Sequence, residues 1–415
     1  MHKMMSAGAL GLLMAVPVAA DAAVDAAEVA ELKQQVAALM RRIEELETRT
    51  AGAETAQSLQ ASETLALAAA AAKPVEWASR VKLKGDFRYR HETTEEDGLE
   101  DRTRHRIRAR LGVEAKVTDE VKAYLGIATG DPTDPRSTNA TLGAGSIRKN
   151  SALDYAYVDW AAFEGATVSL GKMKYPFERI GDSMFYDGDV NPEGAALRYA
   201  AANGFFASGY GFWLSESATG ADANLFGAQL GWAGAGGLKL AVTYNDYGAL
   251  QYNTAGLAEV GGNSTFGAAN SACTGSGVVP CYLYDYDILG VGAEYAFALG
   301  AMPVRVWADY LENTAIDTLN QGYSLGFTLG DARDPGSWQL GLLYQDVEKD
   351  AQWGGILDSD FAGGTTQGRG IAARGSWVAA RNVMLNLTYF DNVRDYDLAS
   401  ERDFRRLLLD FNFRF

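Results

Sequence analysis

The side chains with most chemistry to offer sit at alternate positions. In VKLKGDFRYRH (81–91), Lys82, Lys84, Asp86, Arg88 and Arg90 share one parity. In RTRHRIRARLGVEAKV (102–117), Arg102, Arg104, Arg106, Arg108, Arg110, Glu114 and Lys116 do the same. Such rows supply fixed positive charge, suited to attracting and passing anions rather than to breaking bonds. A second group lies in SLGKMKYPFERIGDSMFYDGDVNPEG (169–194), where Lys172, Lys174, Asp187, Asp189 and Glu193 are mixed with aromatic rings. Reactive types are otherwise scarce. After residue 2 only His91 and His105 remain, and neither lies in a nucleophile motif, so no enzymatic activity, catalytic residue or cofactor is expected. Cys273 and Cys281 are eight positions apart in a Gly/Ser-rich stretch with Pro280 beside the second. Two thiols with no nearby His make a poor metal site, and no metal is expected. In an oxidising compartment they would pair and clip one loop, contributing about 2–3 kcal/mol through loop closure.

The elements that carry these charges are set by what lies between them. Opposite the basic faces stand Val81, Leu83, Phe87 and Tyr89, then Ile107, Ala109, Leu111, Val113 and Val117. That is the period-two signature of strands with one apolar and one wet face. The last residues repeat it: Leu407, Leu409, Phe411, Phe413 and Phe415 on one parity, Arg406, Asp410, Asn412 and Arg414 on the other. Either a soluble core or lipid could cover such faces. Lipid would require a closed barrel, because each unpaired backbone group on an open edge costs several kcal/mol in hydrocarbon. A charged side chain on the lipid face costs roughly 2–4 kcal/mol near mid-bilayer, so the basic faces would have to point into a lumen.

From Trp77 onward sixteen alternating segments can be read, from 81–93 and 102–117 through 167–177 to 383–394 and 402–415. Their connections alternate between tight turns (118–120, 164–166, 203–204, 334–336, 381–382) and longer loops (131–150, 178–194, 249–283, 350–368). Turns on one side and loops on the other is how outer-membrane barrels are built. Trp77, Trp160, Trp232, Trp338, Trp377 and Phe415 near segment ends suit interfacial girdles. Sixteen tilted strands enclose a water-filled lumen, whereas about eight would be filled by side chains.

The start of the chain reads differently. Residues 1–20 have the basic start, apolar run and small terminal residues of a secretory signal peptide, cleaved after Ala20 or Ala22. Val29, Leu32, Val36, Leu39, Ile43 and Leu46 alternate steps of three and four. Residues 25–49 are thus expected as a short coiled coil, or a single amphipathic helix, followed by an Ala-rich linker over 50–76 and the barrel over 77–415. The 37 basic and 53 acidic residues leave a net charge of −16, which excludes nucleic acid as a partner. Past the first twenty residues no apolar run approaches the ~20 residues that a spanning helix needs.

GDFRYR (85–90), RHRIRAR (104–110), ATGDP (128–132), GKMKYPF (171–177) and DGDVNPEG (187–194) resemble the porin family of Gram-negative outer membranes, and more distantly its phosphate-selective, sixteen-stranded trimeric members. The resemblance implies an all-β, sixteen-stranded antiparallel transmembrane barrel, preceded here by the coiled-coil helix. It places Lys172, Lys174, Asp187, Asp189 and Glu193 near the third extracellular loop, and makes Phe411, Phe413 and Phe415 a signal read by the barrel-assembly machinery. The expected function is passive diffusion of small hydrophilic solutes or ions. Lys82, Lys84, Arg88, Arg90, Arg104, Arg106, Arg108 and Arg110 would line the pore as an anion-favouring stripe, or as a solvated wall balanced by carboxylates. If the 178–194 loop folds inward, its carboxylates would face that stripe across a constriction; otherwise it is an ordinary surface loop. Outer-membrane lipid, lipopolysaccharide and two further copies of the chain are the expected partners. A barrel tethering a periplasmic partner through the coiled coil is the alternative.

Overall fold

The computed structural model describes residues 26–71, 78–218, 221–253, 261–266, 273 and 281–415. The expected signal peptide lies outside them. The chain divides into two units, residues 1–75 and 76–415. In the first, helix α1 runs unbroken over Ala26–Ala71. The linker expected from residue 50 is therefore helical to Ala71. Its Ala, Gln, Glu and Leu residues are strong helix formers, and one interior glycine, Gly52, costs only about 1 kcal/mol. Weak apolar periodicity had hidden this, because propensity rather than amphipathicity carries the second half. None of the described helices is long and apolar enough to cross a membrane, which says nothing of strands.

The second unit is a closed antiparallel barrel. Among the described residues its sixteen strands are β1 Val81–Glu96, β2 Arg102–Lys116, β3 Val121–Thr129, β4 Ser151–Phe163, β5 Ala166–Lys172, β6 Glu193–Ala200, β7 Phe205–Ser215, β8 Ala223–Ala233, β9 Leu238–Asp246, β10 Asp287–Leu299, β11 Met302–Asn313, β12 Gln321–Gly330, β13 Trp338–Val347, β14 Gly368–Ala380, β15 Val383–Arg394 and β16 Arg402–Arg414. Each pairs with its sequence neighbour, and β16 pairs with β1 in the register Asp86↔Arg414, Phe87↔Phe413, Tyr89↔Phe411. The Gly85 and Phe415 backbones exchange two hydrogen bonds of 3.0 Å, so the last strand closes the ring.

All sixteen expected segments are strands, with one shortened. The fifth was read to 177 but stops at Lys172, because Pro176 cannot donate to a ladder and the chain turns inward before it. Connections after even-numbered strands are turns of two to seven residues, such as 164–165 and 381–382. Those after odd-numbered strands include the long excursions 130–150, 173–192, 247–286 and 348–367. Cys273 and Cys281, in the third of these, are disulfide-bonded.

Side-chain parity is kept around the ring. Leu83, Trp213, Phe226, Leu230 and Leu340 are more than half exposed on the outer face. Neighbouring inward positions such as Arg90, Phe212, Gln229 and Leu343 are buried. Burial inside a sixteen-stranded ring needs material there, and the loops supply it. Two apolar clusters join wall residues to loop residues: Tyr210, Phe212, Leu225, Ile288 and Leu311 with Met173, Phe177, Phe185, Trp353 and Ile356, and Ala241, Trp307, Leu343 and Phe390 with Ile180, Met184 and Phe361. The core of this protein thus lies within its lumen.

Candidate functional site in the barrel lumen

Two loops form the site: loop A (173–192, between β5 and β6) and loop B (348–367, between β13 and β14). Loop A follows the inner wall for most of a circuit. Glu178 N–H donates to Gln229 on β8 at 2.8 Å, Gly181 N–H to Glu294 on β10 at 2.9 Å, and the Ser183 hydroxyl to Asp309 on β11 at 2.7 Å. Met184 N–H then donates to Gln345 on β13 at 2.9 Å. The Glu178, Gly181 and Met184 amides are thus met by wall side chains, as burial of a loop backbone demands. Two glycines allow the close approach: Gly181 (φ 57°) lies against the Trp307 ring, and Gly292 leaves room for Ile180, where a Cβ would collide. Met173, Phe177, Ile180, Met184 and Phe185 are each at most 8% exposed. Each such burial contributes roughly 1.5–3 kcal/mol relative to exposure.

Past Met184 the loops lock together. Asp187 N–H donates to the Ile356 carbonyl at 2.7 Å and Asp358 N–H to the Met184 carbonyl at 3.2 Å. The Asp187 carboxyl accepts from Ser359 N–H at 2.9 Å and from Asp189 N–H at 2.8 Å. Asp187 therefore ties loop A to loop B instead of facing the basic wall across a gap. Burial, with Asp358 and Asp189 nearby, raises its pKa to about 9; burial and Asp360 raise that of Asp358 to about 6. Asp189 does reach the wall, 3.4 Å from Arg110, and accepts from Thr138 at 2.9 Å. Lys172 and Glu193 are register partners at the mouth of the loop, 2.9 Å apart.

The basic stripe itself is ion-paired. Arg90 holds Asp410 at 2.7 Å and Asp360 at 3.1 Å; Arg88 lies 3.8 Å from Asp410. Arg104 and Arg106 share Glu92, while Arg108 and Arg110 share Asp86, each at 2.8 Å. Arg406 on β16 meets Asp360 at 3.1 Å. Burial alone would raise the Asp360 carboxyl, but Arg90, Arg406 and Arg88 hold it well below the usual carboxylate range. Lys82 and Lys84 flank Glu114 at 3.7 and 3.0 Å with side chains 68% and 70% exposed, in open water rather than in the packed zone. Of the expected pore-lining residues, then, Arg90 lies against loop B, Arg88 is buried with Asp410 and Asn139, and only the two lysines are freely solvated. The reason is electrostatic: so many guanidinium groups cannot be desolvated without carboxylates, and Asp360, Asp410, Glu92 and Asp86 provide them.

Cations without an ion-paired carboxylate among the described residues lie elsewhere. Lys174 stands over the Tyr155 ring, 5.4 Å from its centroid. Arg179 is exposed and chords loop A, its Nη1 donating to the Tyr186 carbonyl at 3.0 Å. Arg374 projects inward from β14 between Ala372 and Ser376. The sequence assigns no role to Arg179 or Arg374 and marks loop B only as a long connection over 350–368. A signal for loop B was present: AQWGGILDSDFAGG is too apolar for a solvated connection.

The model of the family described as "Putative porin" matches residues 94–259 and 284–415, well over half of the chain. The chain belongs to this family. Among solved structures, OprB of Pseudomonas putida superposes with a TM-score of 0.55 at 12% identity, over 81% of this chain and 94% of that one. The Rh. blastica porin, as a multiply substituted variant, gives 0.46 at 15% identity, over 80% and 100%. OccAB4 of Acinetobacter baumannii gives 0.46 at 10% identity, over 81% and 98%. No curated protein matches. Membership in this family and the closed barrel point to an outer-membrane channel.

Proposed function

We propose that this porin is a passive diffusion channel for small hydrophilic solutes and ions that prefers anions. The observation that carries the preference is the location of the uncompensated charge. The six arginines of the stripe on β1 and β2, with Arg406, share only Asp86, Glu92, Asp360, Asp410 and Asp189 and so keep a positive excess, to which Lys174 and Arg179 on loop A and Arg374 on the wall add charges that form no salt bridge. Fixed positive charge without a partner, in a narrow water-filled space with low-dielectric walls, lowers the energy of a passing anion and raises that of a cation. Loop A forms the constriction, and loop B together with the ion-paired stripe is the anvil against which it is held.

Planar-bilayer recording with a reversal potential across a salt gradient tests the reading. Ohmic steps with anion preference are expected. Cation preference would hand selectivity to carboxylates, and folded barrels without conductance would revive a tethering role.

Helix α1 supports a second element of the proposal, self-association on the periplasmic side. Val36, Leu39, Ile43 and Leu46 are all more than half exposed and fall at heptad spacing. Deleting 26–71 should turn trimers into monomers on native gels; unchanged trimers would refute it.

A further inference from the structure

One polar cluster interrupts the apolar outer face of the barrel, and the channel reading leaves it without a role. His91 on β1 and His105 on β2 are register partners, their ring centroids 5.0 Å apart. The chain has three histidines, the third being His2, so the only two in the barrel face each other. The Tyr89 hydroxyl is hydrogen-bonded to His105 Nδ1 at 2.7 Å, and the Thr93 hydroxyl lies 3.5 Å from His91 Nε2. Nε2 of His105 and Nδ1 of His91 have no hydrogen-bond partner among the described residues. Tyr89 belongs to a set of outward tyrosines whose hydroxyls reach polar groups, Tyr244 to Asp287 at 3.1 Å and Tyr310 to Glu312 at 2.9 Å. Those partners stand at the loop ends of their strands; His91 lies further down, level with Leu409 of β16, and the outward positions loopward of the pair, Thr93, Glu95 and Thr103, are polar.

We propose that His91 and His105 form a two-histidine clamp for a divalent transition-metal ion on the outer rim of the barrel. Three features converge. Directly opposed residues on an antiparallel pair have Cβ atoms about 4.5–5.5 Å apart, which lets two imidazoles converge on one ion. In the tautomer whose Nδ1–H donates to the Tyr89 oxygen, His105 has its Nε2 lone pair free, and metal-bound histidines commonly hold their second nitrogen in this way. Imidazole suits Zn2+, Ni2+ and Cu2+, whereas Ca2+ and Mg2+ prefer oxygen, so the clamp discriminates by class. The remaining coordination positions open outward, where water or an anionic headgroup oxygen completes them.

The test is calorimetric titration of Zn2+ alone into the folded full-length chain in detergent, near neutral pH. One saturable site per chain is expected, lost in His91→Ala and in His105→Ala. Tyr89→Phe should weaken it roughly 10- to 100-fold, as second-nitrogen partners do elsewhere. Cu2+ bound at the site should show two nitrogen ligands by electron paramagnetic resonance. Retained gel mobility of the folded barrel would establish that the variants fold. Zn2+ binding unchanged in the double variant, displacement of Zn2+ by equimolar Ca2+, or no saturable binding to the wild-type chain would overturn the proposal.

Discussion

The two halves of the lumen hold the same loops with a different balance of forces. Along β7–β13 the contact is mainly apolar, with Phe177, Ile180, Met184 and Phe185 of loop A against Tyr210, Phe212, Trp307 and Leu311, joined by hydrogen bonds and by two partly exposed ion pairs, Glu178–Lys239 at 3.1 Å and Asp182–Arg305 at 2.8 Å. Along β16, β1 and β2 it is ionic, with Asp360 and Asp189 against Arg90, Arg406 and Arg110. Apolar burial is non-directional and insensitive to salt, so the first wall fixes that the loop is inside. Ion pairs fix charge and register but repay desolvation poorly, so the second wall sets the potential a solute meets more than it sets stability. The difference therefore separates variants into those that move the loop and those that retune the field.

The largest effect is expected on the apolar side. Phe185 is 1% exposed, and Phe185→Ala should cost about 3–5 kcal/mol through lost burial and the cavity left behind. Loop A should then leave the wall, lowering thermal stability and raising single-channel conductance together. A destabilised barrel with unchanged conductance would show that the loop does not set the aperture.

On the ionic side, Asp360→Asn leaves Arg90 with Asp410 and Arg406 with a distant Glu92. Breaking a buried pair from one side costs up to ~3–5 kcal/mol, and the partners that remain put this variant near 3. It also adds net positive charge to the lumen, so reversal potentials should move further toward anions. A fall in stability without that movement would confine Asp360 to a structural role.

Smaller again is the joint replacement of Lys174 and Arg179 by Gln, which touches neither wall's packing. Stability should hold while the anion-to-cation permeability ratio drops roughly tenfold, or ~1.4 kcal/mol. An unchanged ratio would return selectivity to the stripe.

The loop junction should respond to pH with a definite sign. Both carboxyls are raised in the folded protein, Asp358 to about 6 and Asp187 to about 9, so their contribution favours the folded contact when protonated. It is complete below the ordinary carboxyl range and lost as pH climbs through 6 and then 9. Gating noise and protease access at residues 184–188 should increase over that window, and Asp187→Asn should remove the upper part of the rise.

Much of this was legible because period two survives any context in which one face meets lipid. A one-residue slip in a segment such as 402–415 would turn charge into hydrocarbon, so strand count, parity and closure could be read residue by residue. Loop placement could not. Whether Asp187 faces Arg110 or hides against Ser359 depends on contacts between segments about 170 residues apart, and no local pattern records them. Pairing of the stripe was hidden for the same reason: Asp360 and Asp410 are distant in sequence from Arg90. Helix α1 runs past residue 49 because helix propensity continues where the apolar period fades.

The smallest effect expected is at the turn-side end of the basic stripe. Lys84 shares the parity of Arg88 and Arg90, yet its ammonium is in open water beside Glu114. Exposed pairs are screened by salt and bring little net stability, so Lys84→Ala should leave the unfolding temperature where it is. Only the access field at that mouth changes, and by one charge. The expected signature is a slight loss of anion preference at low ionic strength that vanishes near 1 M salt, where the Debye length is about 3 Å. A loss that persists in high salt would mean that Lys84 touches the permeating ion, and would extend the field-setting wall down to that mouth.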